Sequence, residues 1–286
     1  MGGSRIKSLV IAALALINIF FLTVIVIDTV ADARNERQTI ENVCVVLRSG
    51  GIEINPDDVR ADSSLRAMRT ARGDAAEEAI ARAILGKTEM TVQGVIHIYE
   101  NLEKGIAEFY SGGDFEINVS AGEIRALNGA VRTVQRLLRD MKLETSEITQ
   151  SGDEGSETVV AVSSYKKSSI INCTIEFVFA GEYLETVKGR YVTDIELIED
   201  GARISHVGTA LLGFLAAVRN EEREDVVCTY ISGVETGFQH HVVGSFGEGV
   251  ITPVWLITTD MGRYIIVDAT GEILPLINQP RVYQAS

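Results

Sequence analysis

The sequence predicts an α+β protein: an N-terminal transmembrane helix, then modules of one helix and an antiparallel meander in up to three copies. Three observations carry this. An uncharged apolar run stands near the N-terminus. Beyond it, stretches with helical apolar spacing precede groups of short runs that read as strands. Glycines punctuate both kinds of stretch.

From Leu9 to Ile27 the chain reads LVIAALALINIFFLTVIVI, 19 residues without a charge, interrupted only by Asn18 and Thr23. At about 1.5 Å per residue such a helix covers roughly 28 Å, close to the ~30 Å hydrocarbon core of a bilayer. Arg5 and Lys7 precede the run, and Asp28 and Asp32 follow it. The positive-inside rule then places the N-terminus in the cytoplasm and the main domain across the cell membrane. Ala31-Asp32-Ala33 loosely fits a cleavage site. The apolar run, however, exceeds the roughly 7–15 residues of a secretory signal, which favours a single-pass anchor.

The chain divides into a cytoplasmic tail (1–8), the membrane helix (9–27), a membrane-proximal stalk (28–58), a first extracytoplasmic region of two modules (59–200) and a C-terminal module (201–280). In the stalk, Ile40, Val43, Val46 and Leu47 recur at helical spacing, and Gly50-Gly51 would end the helix. The first module opens at Asp74 with AAEEAIARAILG, closes its helix at Gly86, and continues in three strand-like runs from Thr91 to Ser120. The second opens with a capping box, Ser120 with Glu123, before a stripe of Leu127, Val131, Val134, Leu137, Leu138 and Met141. The third helix falls between Ser205 and Arg223, around VGTALLGFLAAV, and four strand-like runs follow it.

Composition narrows the function. A net charge of −14 argues against nucleic acid, whose backbone demands a lysine- and arginine-rich surface. Cys44, Cys173 and Cys228 are widely spaced and form no CxxC, so neither a disulfide scaffold nor a zinc pattern is indicated. A Cys173–Cys228 disulfide and buried free thiols both stay open. Of the four histidines, His97 stands in an alternating strand, His206 at a helix start, and His240-His241 are neighbours in a strand-like run. Strand neighbours point to opposite faces, so His240 and His241 are poorly placed to grip one ion. The GSFGEG segment (Gly244, Gly247, Gly249) opens no helix and reads as a hairpin turn. Asp268 in DATG lacks the partner carboxylate of an aspartic protease. No catalytic motif, metal site or cofactor site emerges, and the expected class is non-enzymatic.

Two segments resemble a known family. SRIKSLVIAALALINIFFL resembles the N-terminus of YycI/YycH-type regulators of two-component systems. PVWLITTDMGRYIIVDATGEI resembles their closing strand pair, through Trp255, Asp260, Gly262, Tyr264, Asp268, Ala269, Thr270, Gly271 and Glu272. The helix-plus-meander units are similar to PepSY-like modules of extracytoplasmic bacterial proteins. This resemblance implies a membrane-anchored regulator that associates with a sensor histidine kinase linked to cell-wall metabolism, or with a homologous regulator, as a homo- or heterodimer. It also makes the membrane helix part of the interface, with Asn18 able to hydrogen-bond across helices. The alternatives are an extracytoplasmic ligand-binding module or enzyme for wall fragments or peptides, and a tethered peptidase inhibitor.

Overall fold

The computed structural model describes residues 34–276, apart from 61, 154, 221–224, 245–246 and 268–270. Residues 34–49 form helix α1. Strands β1 (Glu53–Ile54) and β2 (Val59–Arg60) flank a 3-10 turn, and β3 (Met68–Ala71) leads into α2 (Asp74–Leu85). After α2 come β4 (Glu89–Gln93), β5 (Ile96–Asn101), β6 (Gly105–Phe109) and β7 (Asp114–Val119). Helix α3 (Ala130–Asp140) precedes β8 (Thr145–Asp153), β9 (Ser156–Tyr165), β10 (Ser168–Ala180), β11 (Tyr183–Arg190) and β12 (Thr193–Leu197). Helix α4 (Val207–Val218) precedes β13 (Tyr230–Val242), β14 (Gly249–Thr259), β15 (Arg263–Val267) and β16 (Glu272–Pro275).

The expected architecture of separate α+β modules is overturned. Strands hold 48% of the described residues and helices 23%, and every strand joins one large mixed sheet. The main path runs β12-β3-β14-β13-β10-β11-β7-β6-β5-β4. A free-standing meander leaves unpaired edges, and an exposed edge is a row of unsatisfied N–H and C=O groups. Here the edges are used. β7 pairs antiparallel with β11 from Asp114↔Arg190 to Asn118↔Thr186. The first half of β10 turns away from β11 and meets β13 in parallel at Ile170↔Phe238. β1 and β2 also lie parallel to β13, which makes the sheet mixed.

Helix boundaries follow local chemistry. α2 ends where Gly86 adopts φ 73°, a left-handed conformation cheap only for glycine. The capping box expected at Ser120 does not start a helix. Glu123 N–H bonds the Ser120 carbonyl in a turn, Leu127 is exposed, and α3 begins only after Gly129. His206 caps α4, its Nδ1 accepting from Gly208 N–H at 3.1 Å.

Two main cores result. α2 and α3 cover the sheet of β4–β11, burying Ile80, Leu85, Val134 and Leu137 against Phe109, Phe115, Phe177 and Phe179. α1 and α4 cover β13–β16, with Leu47, Leu211 and Phe214 against Ile231, Trp255 and Tyr264. Each such side chain contributes roughly 1.5–3 kcal/mol on burial. Among the described residues no helix is long and apolar enough to cross a membrane. The helix expected over 9–27, with Asn18, lies outside the described residues.

Candidate functional site

The densest group of ionisable side chains stands where β3 passes into α2. The buried stripe of α2 is Glu77, Ile80, Ala81, Ile84 and Leu85, so a carboxylate occupies a core position of an otherwise apolar face. Glu77 is fully buried, and burial of a charge demands partners. It has three. Arg72 pairs with Oε1, and the Tyr191 hydroxyl donates to the same oxygen at 3.3 Å. His97 Nδ1 lies 2.7 Å from Oε2. Arg72 in turn donates to the carbonyls of Val95 (2.7 Å) and Phe109 (3.1 Å). The network thereby ties α2 to β5, to β6 and to the end of β11.

Ligand atoms of Asp74, Glu77 and His97 lie within 4.8 Å of one another, a span that a metal ion could bridge. Both Glu77 oxygens are already engaged, however, and the Arg72 guanidinium supplies the positive charge that a cation would bring. Burial and the neighbouring Glu77 charge push the Tyr191 hydroxyl far above its ordinary range, and Tyr99 up to about 12. Neither phenol is suited to release a proton at neutral pH. The arrangement acts as a saturated clamp.

The two adjacent histidines separate as strand geometry requires: His240 is buried and His241 exposed. His240 Nε2 lies 3.3 Å from Thr70 Oγ1, while its Nδ1 is buried without a hydrogen-bond partner. Burial, helped by the charge of Arg190, holds the imidazole down to about 4, so it is neutral at physiological pH. The crevice beside it, lined by Thr70, Arg72, Tyr191 and His240, measures about 10 Å³, room for a single water at most. Asn172 reaches across from β10 and bonds both the N–H (2.8 Å) and the C=O (2.7 Å) of His240, stitching the two halves of the sheet together.

All three cysteines are free and buried. Cys44 and Cys228 belong to the α1–α4 core, whereas Cys173 lies in another cluster with Ile170 and Phe238. Burial pushes the Cys173 thiol up to about 12 and that of Cys228 up to about 11, so neither is a ready nucleophile.

No protein-family model and no curated protein matches this chain. Distant likenesses among solved structures include the following two. An uncharacterized protein from Eubacterium rectale ATCC 33656 is 8% identical, with a TM-score of 0.47 over 76% of this chain and 89% of that one. The C-terminal domain of Bacillus megaterium YpeB is 11% identical, with a TM-score of 0.33 over 73% of this chain and 100% of that one.

The join between α1 and the body is the other feature of functional interest. Val43, Cys44 and Leu47 of α1 are buried against Val207, Leu211 and Leu215 of α4. Gly208 permits the close approach, since a Cβ there would stand 3.3 Å from Val43 Cγ2. Just past the end of α1 the fit is tighter: a Cβ on Gly50 would come within 2.6 Å of Leu215 Cδ1. Sequence reasoning passed over Arg72, Glu77 and Tyr191. The legible signal was Glu77 itself, a charge at a stripe position three residues before Ile80. Asp268 and Thr270, singled out in the closing turn, lie outside the described residues, as does Asn18.

Proposed function

We propose that this chain is a membrane-anchored extracytoplasmic regulator that binds a membrane sensor histidine kinase and favours one of its conformations. The observation that carries this reading is the docking of α1. The described part of α1 starts at residue 34, a few residues beyond the apolar segment that ends at Ile27, and its second half is packed into the core of the folded body through Val43, Cys44 and Leu47. A packed helix transmits displacement, because close-packed interfaces resist continuous deformation. A change in the body therefore displaces α1, the element that leads back toward the apolar segment. Regulation follows when the chain binds one kinase state more tightly than the other.

The resemblance of both chain ends to YycI/YycH-type regulators supports the same assignment. Asn18 would tune helix association rather than create it, at about 0.6 kcal/mol for an average interhelical hydrogen bond.

The test is crosslinking in native membranes, mild extraction of the full-length chain and identification of what accompanies it. A sensor kinase that is recovered, and then lost when residues 9–27 are replaced by an unrelated apolar helix, supports the proposal. Good yield without any membrane partner sinks it.

A further inference from the structure

A cavity of about 290 Å³ opens where the α3–β8 loop, the β9–β10 hairpin and the β11–β12 connection converge. That is close to the lower end of small-molecule sites, roughly 300 Å³. Its apolar wall comes from Leu143, Ile170, Val192 and Ile195. Lys142 and Lys166, both exposed, line it too, two cations at one cavity of a chain whose net charge is −14. Lys166 is positioned by its neighbour, with Nζ 5.2 Å from the Tyr165 ring centroid. Glu144 adds one carboxylate to the lining.

Two further observations single this cavity out. Ser163, which also lines it, is 6% exposed, and its Oγ has no hydrogen-bond partner among the described residues. Buried hydroxyls are nearly always paired, so this closed-off orphan marks irregular packing in the cavity wall. The backbone is also unusual here. Among the described residues, four non-glycines adopt positive φ: Lys142 (60°), Lys166 (48°), Lys167 (74°) and Asp194 (48°). Two line the cavity, Lys167 adjoins Lys166, and Asp194 lies between the lining residues Thr193 and Ile195. Lys166 and Lys167 occupy the two-residue turn joining β9 to β10, where Asn-Gly is strongly preferred because both positions are left-handed. Lysine at both is a departure from local preference, and such departures cluster at functional sites.

We infer that this cavity binds a small carboxylate carrying a branched aliphatic group, its carboxylate on Lys142 and Lys166 and its hydrocarbon on Leu143, Ile170, Val192 and Ile195. Glu144 suits an ammonium, which makes a free amino acid and the C-terminus of a peptide the two sources of this chemistry. The lining joins β9 and β10 to Thr193 and Ile195 of β12, so an occupant touches both halves of the sheet. The inference does not depend on the kinase assignment.

The full-length chain in detergent micelles is titrated with L-leucine, N-acetyl-L-leucine and L-leucinamide, followed by calorimetry and thermal unfolding. At least one of the two carboxylates binds saturably at millimolar concentration and raises Tm, and the amide does neither. Preference for L-leucine assigns the free amino acid, with its ammonium on Glu144; preference for the N-acetyl compound assigns a peptide C-terminus. Lys166→Asn relieves the left-handed strain, so it raises the Tm of the ligand-free chain while weakening binding about tenfold. That opposition separates a binding role from a structural one. Absence of saturable carboxylate binding, equal binding of L-leucinamide, or unchanged affinity in the Lys142→Asn/Lys166→Asn double variant overturns the inference.

Discussion

His97 Nδ1 lies 2.7 Å from Glu77 Oε2, and the same carboxylate receives the Tyr191 hydroxyl from 114 residues along the chain. A charge in the middle of an apolar helix face thus becomes the knot that fastens α2 to the sheet. Glu77→Ala leaves the Arg72 guanidinium, itself only 11% exposed, buried without its counter-ion. Such one-sided removal costs about 3–5 kcal/mol. Urea unfolding should show that loss, and Arg72→Met in the Glu77→Ala background should recover part of it. Strictly additive effects of the two substitutions would show that the pair does not act as a unit.

His240 makes stability depend on pH. Its folded pKa is held to about 4 by burial first, then by Arg190 and His241, with Asp114 opposing, against an ordinary value of 6.5. The unfolded chain therefore takes up a proton that the folded chain refuses. The contribution is fully present above pH 6.5 and is lost as pH falls through 6.5 toward about 4. The span corresponds to a loss of up to about 3 kcal/mol. Denaturant midpoints measured across this window should decline in the native chain and much less in His240→Asn. An identical decline in both would assign the acid sensitivity to other groups.

Local signals were legible where local chemistry decides. AAEEAIARAIL followed by glycine marks a helix, and α2 stops at Gly86 for the reason its left-handed φ supplies. Ser120 with Glu123 misled, because the same side chains that cap helices also stabilise turns, and here the chain turns. The sheet was illegible for a different reason. Alternation tells which face a residue turns to, not which strand lies beside it, so nothing in SIINCTIEFVFA revealed that Ile170 pairs with Phe238 while Ile175 pairs with Gly189. The separate modules of the sequence reading failed at that step. Strand alternation did separate His240 from His241, but the buried side was decided by β3 docking on β14, a pairing across roughly 180 residues.

The α1 seam supplies a third prediction. Leu47 is fully buried, and Leu47→Ala removes contacts with the α4 core at a cost of about 2–5 kcal/mol. Because α1 carries only part of that core, the change appears first as faster amide hydrogen exchange over 43–52, ahead of the β4–β11 region. Uniform acceleration throughout the chain would mean that α1 and the sheet open as a single unit.

Gly249 opens β14 directly beneath His240. A Cβ there would stand 2.3 Å from His240 Nε2 and 2.7 Å from Thr70 Oγ1, distances no packed structure accepts without displacement. Gly249→Ala must therefore push the imidazole from its place between β3 and β14, and overpacking of this kind costs typically 1–3 kcal/mol. His240→Ala alone opens a cavity and strands the Thr70 hydroxyl, so it too destabilises. The two losses answer one another, since the methyl added at residue 249 enters space vacated by the ring. Thermal unfolding of the double variant should fall short of the summed single losses by about 1 kcal/mol or more. Plain additivity would mean that the ring already yields to the methyl at no cost, and that the seam between β3 and β14 is looser than its geometry indicates.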